Sequence, residues 1–325
     1  MSPMTVRGAR LIDMLRAAGE PTRLRVLGLL RREELSVLEL ARILDQSQPR
    51  VSRHLKLLVE AGLAERFADG AWAFFRLAAA GPGRDFVETV LPLASDDVPL
   101  FSADVAALAQ VRAERRAGAA EYFARNAERW DDLRSLHTDE AEVEAAVLRA
   151  ADSGPFRRLV DLGTGTGRML RLLAPRARSA LGLDLSQSML NIARSEAEAA
   201  GLTAELRHGD IFATGLPGGC ADLVIVHQVL HYLADPAAAL AEAARLLEPG
   251  GRLLVVDFAP HGLERLREEH RHRRLGFSDD EMARWAQGAG LTLTPAASLP
   301  PAGAEGLTVK IWTAERPAQR SRSAA

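Results

Sequence analysis

The stretch that most constrains this chain is Leu159-Val160-Asp161-Leu162-Gly163-Thr164-Gly165-Thr166-Gly167, followed by Arg168-Met169-Leu170-Arg171-Leu172-Leu173. A short apolar run reads as a buried strand, breaks into glycine at every second position, and resumes at helical spacing. Strand, glycine turn and helix is how α/β proteins bring backbone close to a nucleotide-like ligand, because glycine places no side chain in between. The same turn also occurs as a bare scaffold feature, so its meaning depends on its surroundings.

Strand and helix patterns alternate beyond it. Ala180 to Leu183 reads as a strand ending at Asp184, Gln187 to Ala200 as a helix, and Ala204 to His208 as a strand closing on Gly209-Asp210. Asp222 to Val226 is a further strand and Ala237 to Leu247 a helix. Glu248-Pro249-Gly250-Gly251 turns into the strand Arg252 to Phe258. Ser278 and Glu281 form a capping box, and Leu291 to Ala297 and Thr308 to Thr313 complete the set. The pattern predicts a Rossmann-like, doubly wound sheet of about seven strands.

Asp184 lies 21 residues beyond Gly163, at the end of the second strand, where a carboxylate accepts hydrogen bonds from both hydroxyls of an adenosine ribose. NAD and S-adenosylmethionine (SAM) both meet that requirement. A dinucleotide needs its pyrophosphate at the helix N-terminus, usually on a G-x-G-x-x-G turn. Here the turn is G-x-G-x-G with Asp161 just before it, which would repel a pyrophosphate and attract the cationic amino group of a methionyl moiety. SAM fits better. His227, His231 and Tyr232 follow the fourth strand, beside the expected methyl position, so His227 and His231 are the candidate catalytic bases, or orienters of that loop.

The first quarter of the chain follows another pattern. Glu20 to Leu30 begins with a helix-entry proline and places Leu24, Leu27 and Leu30 at helical spacing. A second helix spans Ser36 to Leu44. A third has Ser47 as N-cap, Pro49 in its first turn, and Val51, Leu55 and Leu58 turned inward. Gln48, Arg50, Ser52, Arg53 and Lys56 fall on its other face as candidate DNA contacts; His54 is either a contact or a surface histidine. Asp69-Gly70 between two alternating runs signals a hairpin. Together these make a winged helix-turn-helix. Residues 1 to 77 carry a balance of +4 and the rest −6, out of a net charge of −2 over 325 residues, which suits a nucleic-acid partner for the first part.

Cys220 is the only cysteine, which excludes an intramolecular disulfide and a thiolate metal cluster. No secretory signal and no membrane-length apolar run is visible, so a cytoplasmic location without membrane contact is the default expectation. His270 and His272 fall in what reads as a charged helix, Arg265 to Arg274, exposed or on the substrate side, with His261 just before it, and no metal site is expected.

Glu20-Pro21-Thr22-Arg23-Leu24, Leu38 to Leu44, Gln48 to Leu58, Glu60-Ala61-Gly62-Leu63 and the Asp69-Gly70 wing tip resemble the ArsR/SmtB family of bacterial repressors. Metal-sensing members often carry Cys-x-Cys before the recognition helix. Ser36 and Leu38 stand there instead, and a hydroxyl and a leucine cannot replace soft thiolates. Ala71 stands where a basic wing residue is common, which implies a weaker phosphate grip. The resemblance also implies a homodimer, paired through Leu11 to Leu15 and Phe86 to Leu93, on a near-palindromic double-stranded operator.

Residues of about 120 to 260 resemble class I SAM-dependent methyltransferases, close to the UbiE-like small-molecule branch. On that resemblance Asp161, Gly163, Thr164 and Gly165 cradle the methionine end, and Asp184 holds the ribose. Leu185 and Met189 flank the adenine, Asp210 and the Ile211 backbone bind its edge, and His227 lines the methyl group. Glu121 to Arg134 resembles the family's helical lead-in over the cofactor, though Tyr122, Phe123 and Trp130 equally suit a plain packing helix.

The expected organisation is an α/β chain: residues 1–82 a winged helix-turn-helix domain, 83–119 a helical connector, 120–316 the methyltransferase domain, and 317–325 a disordered tail. Two functions fit. One is a regulator whose methyltransferase-type domain senses SAM or S-adenosylhomocysteine (SAH), as in ArsR-type fusions tied to methionine and SAH recycling. The other is an active methyltransferase on a small, quinone-like substrate whose winged helix controls its own expression.

Overall fold

In a computed structural model the described residues are 8–69, 72–78, 81–93, 99–126, 140–151, 154–301 and 306–318. The chain divides into two compact units, Met1–Ala117 and Gly118–Ala325. The Gly70-Ala71 wing tip, Trp130 with the rest of the lead-in beyond Asn126, and tail residues 319–325 lie outside the described residues.

The first unit contains α1 (Gly8–Ala18), α2 (Pro21–Leu30), β1 (Leu35–Ser36), α3 (Val37–Leu44), α4 (Gln48–Glu60), β2 (Ala64–Asp69), β3 (Trp72–Leu77), α5 (Pro82–Val90) and the start of α6 (Pro99–Asn126). Local chemistry sets these boundaries. Glu20 caps α2, its carboxylate accepting from the Arg23 N–H at 2.9 Å, with Pro21 in the first turn. Ser36 and Glu39 cap α3 reciprocally, at 3.3 and 2.8 Å, satisfying two N–H groups that the first helical turn leaves without partners. Ser47 precedes α4 but makes no side-chain cap bond. Pro82 occupies the first turn of α5.

Apolar residues of α1, α2, α3 and α4 meet in one core, including Met14, Val26, Leu30, Leu40, Leu44, Val51, Leu55 and Leu58. β3 pairs antiparallel with both β1 and β2, and the Asp69↔Trp72 pair closes the hairpin around two residues. Three ion pairs tie α6 to this core. Arg25 grips the buried Asp104 carboxylate at 2.8 and 2.5 Å, Arg112 reaches Glu33 at 2.8 Å, and Arg42 meets Glu114 at 2.6 Å. Among the described residues, α6 runs unbroken for 28 residues to Asn126.

The second unit continues with α7 (Glu140–Ala151), β4 (Phe156–Leu162), α8 (Arg168–Leu173), β5 (Ala177–Asp184), α9 (Gln187–Ala199), β6 (Glu205–His208) and β7 (Ala221–His227). It then runs through α10 (Pro236–Leu246), β8 (Leu247–Phe258), α11 (Arg265–Glu269), α12 (Asp279–Gly288), β9 (Thr292–Leu299) and β10 (Val309–Glu315). The seven strands lie in the order β6-β5-β4-β7-β8-β10-β9. β4 to β8 are parallel, and β10 is antiparallel to both its neighbours. Successive side chains alternate between two cores. Val160, Leu181, Val224 and Val255 belong to one, Leu159, Ala180, Ile225 and Leu254 to the other.

The chain leaves β4 toward β5 and β6 on one side, and β7 and β8 lie on the other. β4 and β7 therefore flank the topological switch point, where open α/β sheets bind ligands at the carboxyl ends of their strands.

Two local expectations change. Glu248 to Gly251 does not precede a strand but forms an irregularity inside β8, where the pairing steps from Ala221↔Leu247 to Leu223↔Arg252. The expected helix Arg265 to Arg274 ends at Glu269, and Arg271 takes a left-handed φ of 59°. His272 and Arg274 are buried there instead of exposed. The stop has a physical cause: the Arg273 and Arg274 N–H groups donate to the His231 carbonyl, at 2.8 and 3.0 Å, and not to a helical turn.

Candidate functional site

The glycine turn is built as its sequence requires. Gly163, Gly165 and Gly167 have φ of 75°, 56° and 80°, the left-handed region that costs other residues about 1 kcal/mol or more. At Gly163 a β-carbon would also meet the Val229 side chain at 2.4 Å. The turn is tied to the end of β5, for the Gly163 and Thr164 N–H groups donate to the Leu183 carbonyl at 2.8 and 3.0 Å. Asp161 is buried, and its carboxylate accepts from the Thr164 hydroxyl at 2.6 Å.

Asp184 ends β5 facing this turn. One carboxylate oxygen accepts from the Gly165 N–H and the other from the Ser186 N–H, both at 2.8 Å. Burial pushes its pKa above the ordinary aspartate value, and those N–H groups and His208 only partly oppose that. Each oxygen keeps a further lone pair, so a vicinal diol can donate to the held carboxylate. The ribose of SAM or SAH meets this requirement, and a turn bare of side chains leaves room for the methionyl end. The residues present fit the group.

The other sequence candidates sit around that centre. Leu185 is exposed at the end of β5, whereas Met189 is buried, its N–H capped by the Ser186 hydroxyl at 3.4 Å. Ile211 is buried, and Asp210 accepts from the Phe212 N–H at 3.0 Å, which shapes the turn after β6. His227 ends β7 and lines a cavity with Gln228, Arg168, Met169, Glu140, Val143 and Glu144. Gln228 has a left-handed φ of 52°, and its N–H donates to the Val256 carbonyl at 2.7 Å. A non-glycine residue in this conformation is strained, at the strand end nearest the switch point.

His231 lies deeper, only 2% exposed. Its Nδ1 is 2.8 Å from a carboxylate oxygen of the fully buried Asp257, and its backbone N–H donates to the other at 3.4 Å. Rings of Tyr232, Phe258 and His272 pack on it at centroid distances of 4.1, 5.0 and 4.3 Å, and Phe123 of α6 meets Tyr232 edge-on at 4.8 Å. Sequence reasoning missed Asp257 as the carboxylate partner of His231. It also missed Arg168, Glu140 and Glu144, although Arg168 directly follows the last glycine of the turn.

In the first unit Gln48, Arg50, Ser52, Arg53 and Lys56 are all exposed on α4, opposite its buried Val51, Leu55 and Leu58. Lys56 makes a long i,i+4 contact to Glu60, at 3.8 Å. His54 is not on that surface. Its Nδ1 lies 3.5 Å from the Glu20 carboxylate, and burial lowers its pKa despite that neighbour. It packs α4 against the start of α2. Ser36 spends its hydroxyl on capping α3.

Residues 20–66 match the model of the bacterial regulatory protein arsR family, and residues 160–255 match a methyltransferase-domain model. The chain is 38% identical over 143 residues to demethylmenaquinone methyltransferase of Thermus thermophilus, covering 42% of this chain and 64% of that protein. It is 30% identical over 195 residues to ubiquinone biosynthesis O-methyltransferase of Methylococcus capsulatus, covering 54% of this chain and 81% of that protein. Among solved structures, the 1,6-didemethyltoxoflavin-N1-methyltransferase of Burkholderia thailandensis shares the fold, with a TM-score of 0.50 at 19% identity. The match covers 63% of this chain and 89% of that one, and that structure contains its substrate and SAH. With the glycine turn and Asp184 at the switch point and an exposed polar and basic face on α4 earlier in the chain, this chain belongs to the class I SAM-dependent methyltransferases and carries an arsR-family helix-turn-helix over residues 20–66.

Proposed function

We propose that the chain is a DNA-binding transcriptional regulator, ArsR-like but not metal-sensing, whose methyltransferase-type domain takes SAM or SAH as its effector. The observation that carries this reading is the presence in one chain of an exposed polar and basic face on α4 and a carboxylate held ready for a ribose diol at Asp184. Ser36, committed to its cap, supports an effector other than a thiophilic metal. SAM and SAH report methylation capacity, so genes of methionine and SAH recycling are the natural targets, and a regulator of such genes works in the cytoplasm. The apolar side chains of Leu11, Ile12 and Leu15 are 40%, 50% and 51% exposed on α1, which supports pairing of two copies on a near-palindromic operator. Ligand binding acts if it favours one of two dimer arrangements that differ in DNA affinity.

Fluorescence anisotropy on DNA from the gene's own upstream region, with and without SAM or SAH, tests this. A ligand-dependent shift in affinity, lost in Asp184→Ala, is the expected result. Equal affinity in all conditions overturns the effector role.

A second reading, an active methyltransferase on a small quinone-like acceptor, is favoured by one observation. His231 is held at Nδ1 by Asp257 close behind the end of β7, with His227 at the cavity itself. When an acceptor oxygen takes the methyl group from the sulfonium, its proton must leave, and an imidazole accepts it. SAH formation with demethylated quinone precursors is the measurement that separates the two readings.

A further inference from the structure

Residues 209–216, between β6 and β7, belong to no helix or strand, yet both ends of the stretch are anchored. At its start the Gly209 N–H donates to the Asp184 carbonyl at 3.0 Å. The Asp210 carbonyl accepts from the Ala213 N–H at 3.0 Å, and its carboxylate from the Phe212 N–H at 3.0 Å, which closes a tight turn. At the far end Thr214 is buried, and one oxygen of the Glu242 carboxylate on α10 accepts from both its hydroxyl and its N–H, at 2.6 and 3.2 Å. Arg245, three residues further along α10, donates to the two Glu242 oxygens at 2.6 and 2.7 Å and to the Leu216 carbonyl at 2.9 Å. The guanidinium holds the Glu242 carboxyl below the usual glutamate range, so the acid stays ionised as an acceptor for Thr214.

Topology gives this stretch a ligand to face. β6 lies beside β5 on the side away from β4. A ligand whose ribose donates to Asp184, at the end of β5, therefore has the glycine turn on one side and residues 209–216 on the other. Its methionyl end needs the room that the bare turn leaves, so its base falls toward 209–216. Between the two anchors, the Ile211 N–H and carbonyl make no hydrogen bond among the described residues. The edge of adenine carries an acceptor, N1, beside a donor, the exocyclic amine. One main-chain N–H and one acceptor can meet that pair only if they are held in place, and a stretch without a ladder or helix of its own has to borrow its rigidity.

Resting on the reading that SAM and SAH bind at Asp184, we infer that Thr214, Glu242 and Arg245 are positioning residues for the base. They touch no part of the ligand; they fix the main chain at 210–212, and so set how sharply the chain distinguishes adenine from a base with a different edge.

Isothermal titration of the full chain with SAH and with its hypoxanthine analogue tests the inference. In the analogue a ring carbonyl replaces the exocyclic amine and N1 becomes a donor, while the ribose and homocysteine are unchanged. The wild type should prefer SAH by about 100-fold, since a fixed edge then meets donor with donor and acceptor with acceptor. Thr214→Val and Glu242→Gln should each lower that preference about tenfold, the worth of one misplaced hydrogen bond, and Thr214→Ser should restore it. The Arg245 side chain is 43% exposed, so Arg245→Met leaves the fold intact even where Glu242→Gln does not, and should lower the preference about threefold. Variants that lose stability, or that weaken both ligands equally with the ratio unchanged, would overturn the inference and leave a plain structural tie. A wild-type ratio near one would overturn it as well. Failure of the wild-type chain to bind either molecule would instead remove the cofactor reading beneath it.

Discussion

In the helix-turn-helix unit the candidate working groups are exposed side chains on one face of one helix, and the apolar residues of the same helix hold that face outward. In the methyltransferase-fold unit they are buried, half-buried or backbone groups drawn from several elements that converge at strand ends, with Asp184 fixed by two N–H donors and His231 by a buried carboxylate. The first arrangement tolerates loss of a side chain without loss of structure, because water replaces what was removed. The second does not, since each polar group is part of the packing that positions the next.

The sharpest way to break this comparison is to remove Arg50 and Arg53 together. Two lost base or phosphate contacts should weaken specific DNA binding by about 100-fold or more in a mobility-shift assay, with thermal stability and SAM affinity unchanged. A coincident loss of SAM binding would show that the α4 face is not the independent surface described. Asp184→Ala should weaken SAM and SAH binding by about 100-fold, as expected for two hydrogen bonds to a charged group, while ligand-free DNA binding persists. Equilibrium dialysis reads the first and anisotropy the second.

Arg25→Met tests the same contrast inside the first unit, where the buried Asp104 is the exception to the exposed pattern. Leaving that carboxylate unpaired should cost about 3 kcal/mol in urea unfolding, and replacing both residues by apolar ones should restore most of it. Ser36→Ala, which removes one half of a reciprocal cap, should cost about 1 kcal/mol by the same measurement.

The smallest expected effect is a pH dependence. With its pKa raised by burial, Asp184 holds its proton in the folded chain to a higher pH than in the unfolded one. Its contribution to stability is therefore present below the ordinary aspartate range and lost as pH rises through the raised value. A ribose diol donates to the ionised form, so SAM binding should release a proton and tighten as pH rises through that same window. Calorimetric titration should show this in the wild type, and Asp184→Asn should flatten it.

The fold was legible because both units obey simple periodicities. Helical spacing marked α2 to α4, and the run from β4 through β10 announced itself by strands, glycine turns and the Ser278–Glu281 cap, which the structure contains. The site was legible where one residue type has one use, as at Gly163, Gly165, Gly167 and Asp184. It was not legible where function depends on distant partners. Asp257 reads as an ordinary strand-end acid until β8 lies beside β7, and Arg168 as an ordinary helix residue until α7 brings Glu140 and Glu144 to it. His272 and Arg274 misled in the opposite way, since a run of charges suggested an exposed helix and long-range hydrogen bonds bury it.

His231 grips Asp257 through its ring and its N–H, and its carbonyl holds the Arg273 and Arg274 amides. Three stretches far apart in the sequence are thereby riveted at one residue, and a slow opening of any of them must break bonds belonging to the others. The Arg273 and Arg274 amide hydrogens should consequently exchange with solvent deuterium as a pair. Their rate then becomes a gauge of how firmly the end of β7 is held, read from a loop that no ligand need touch.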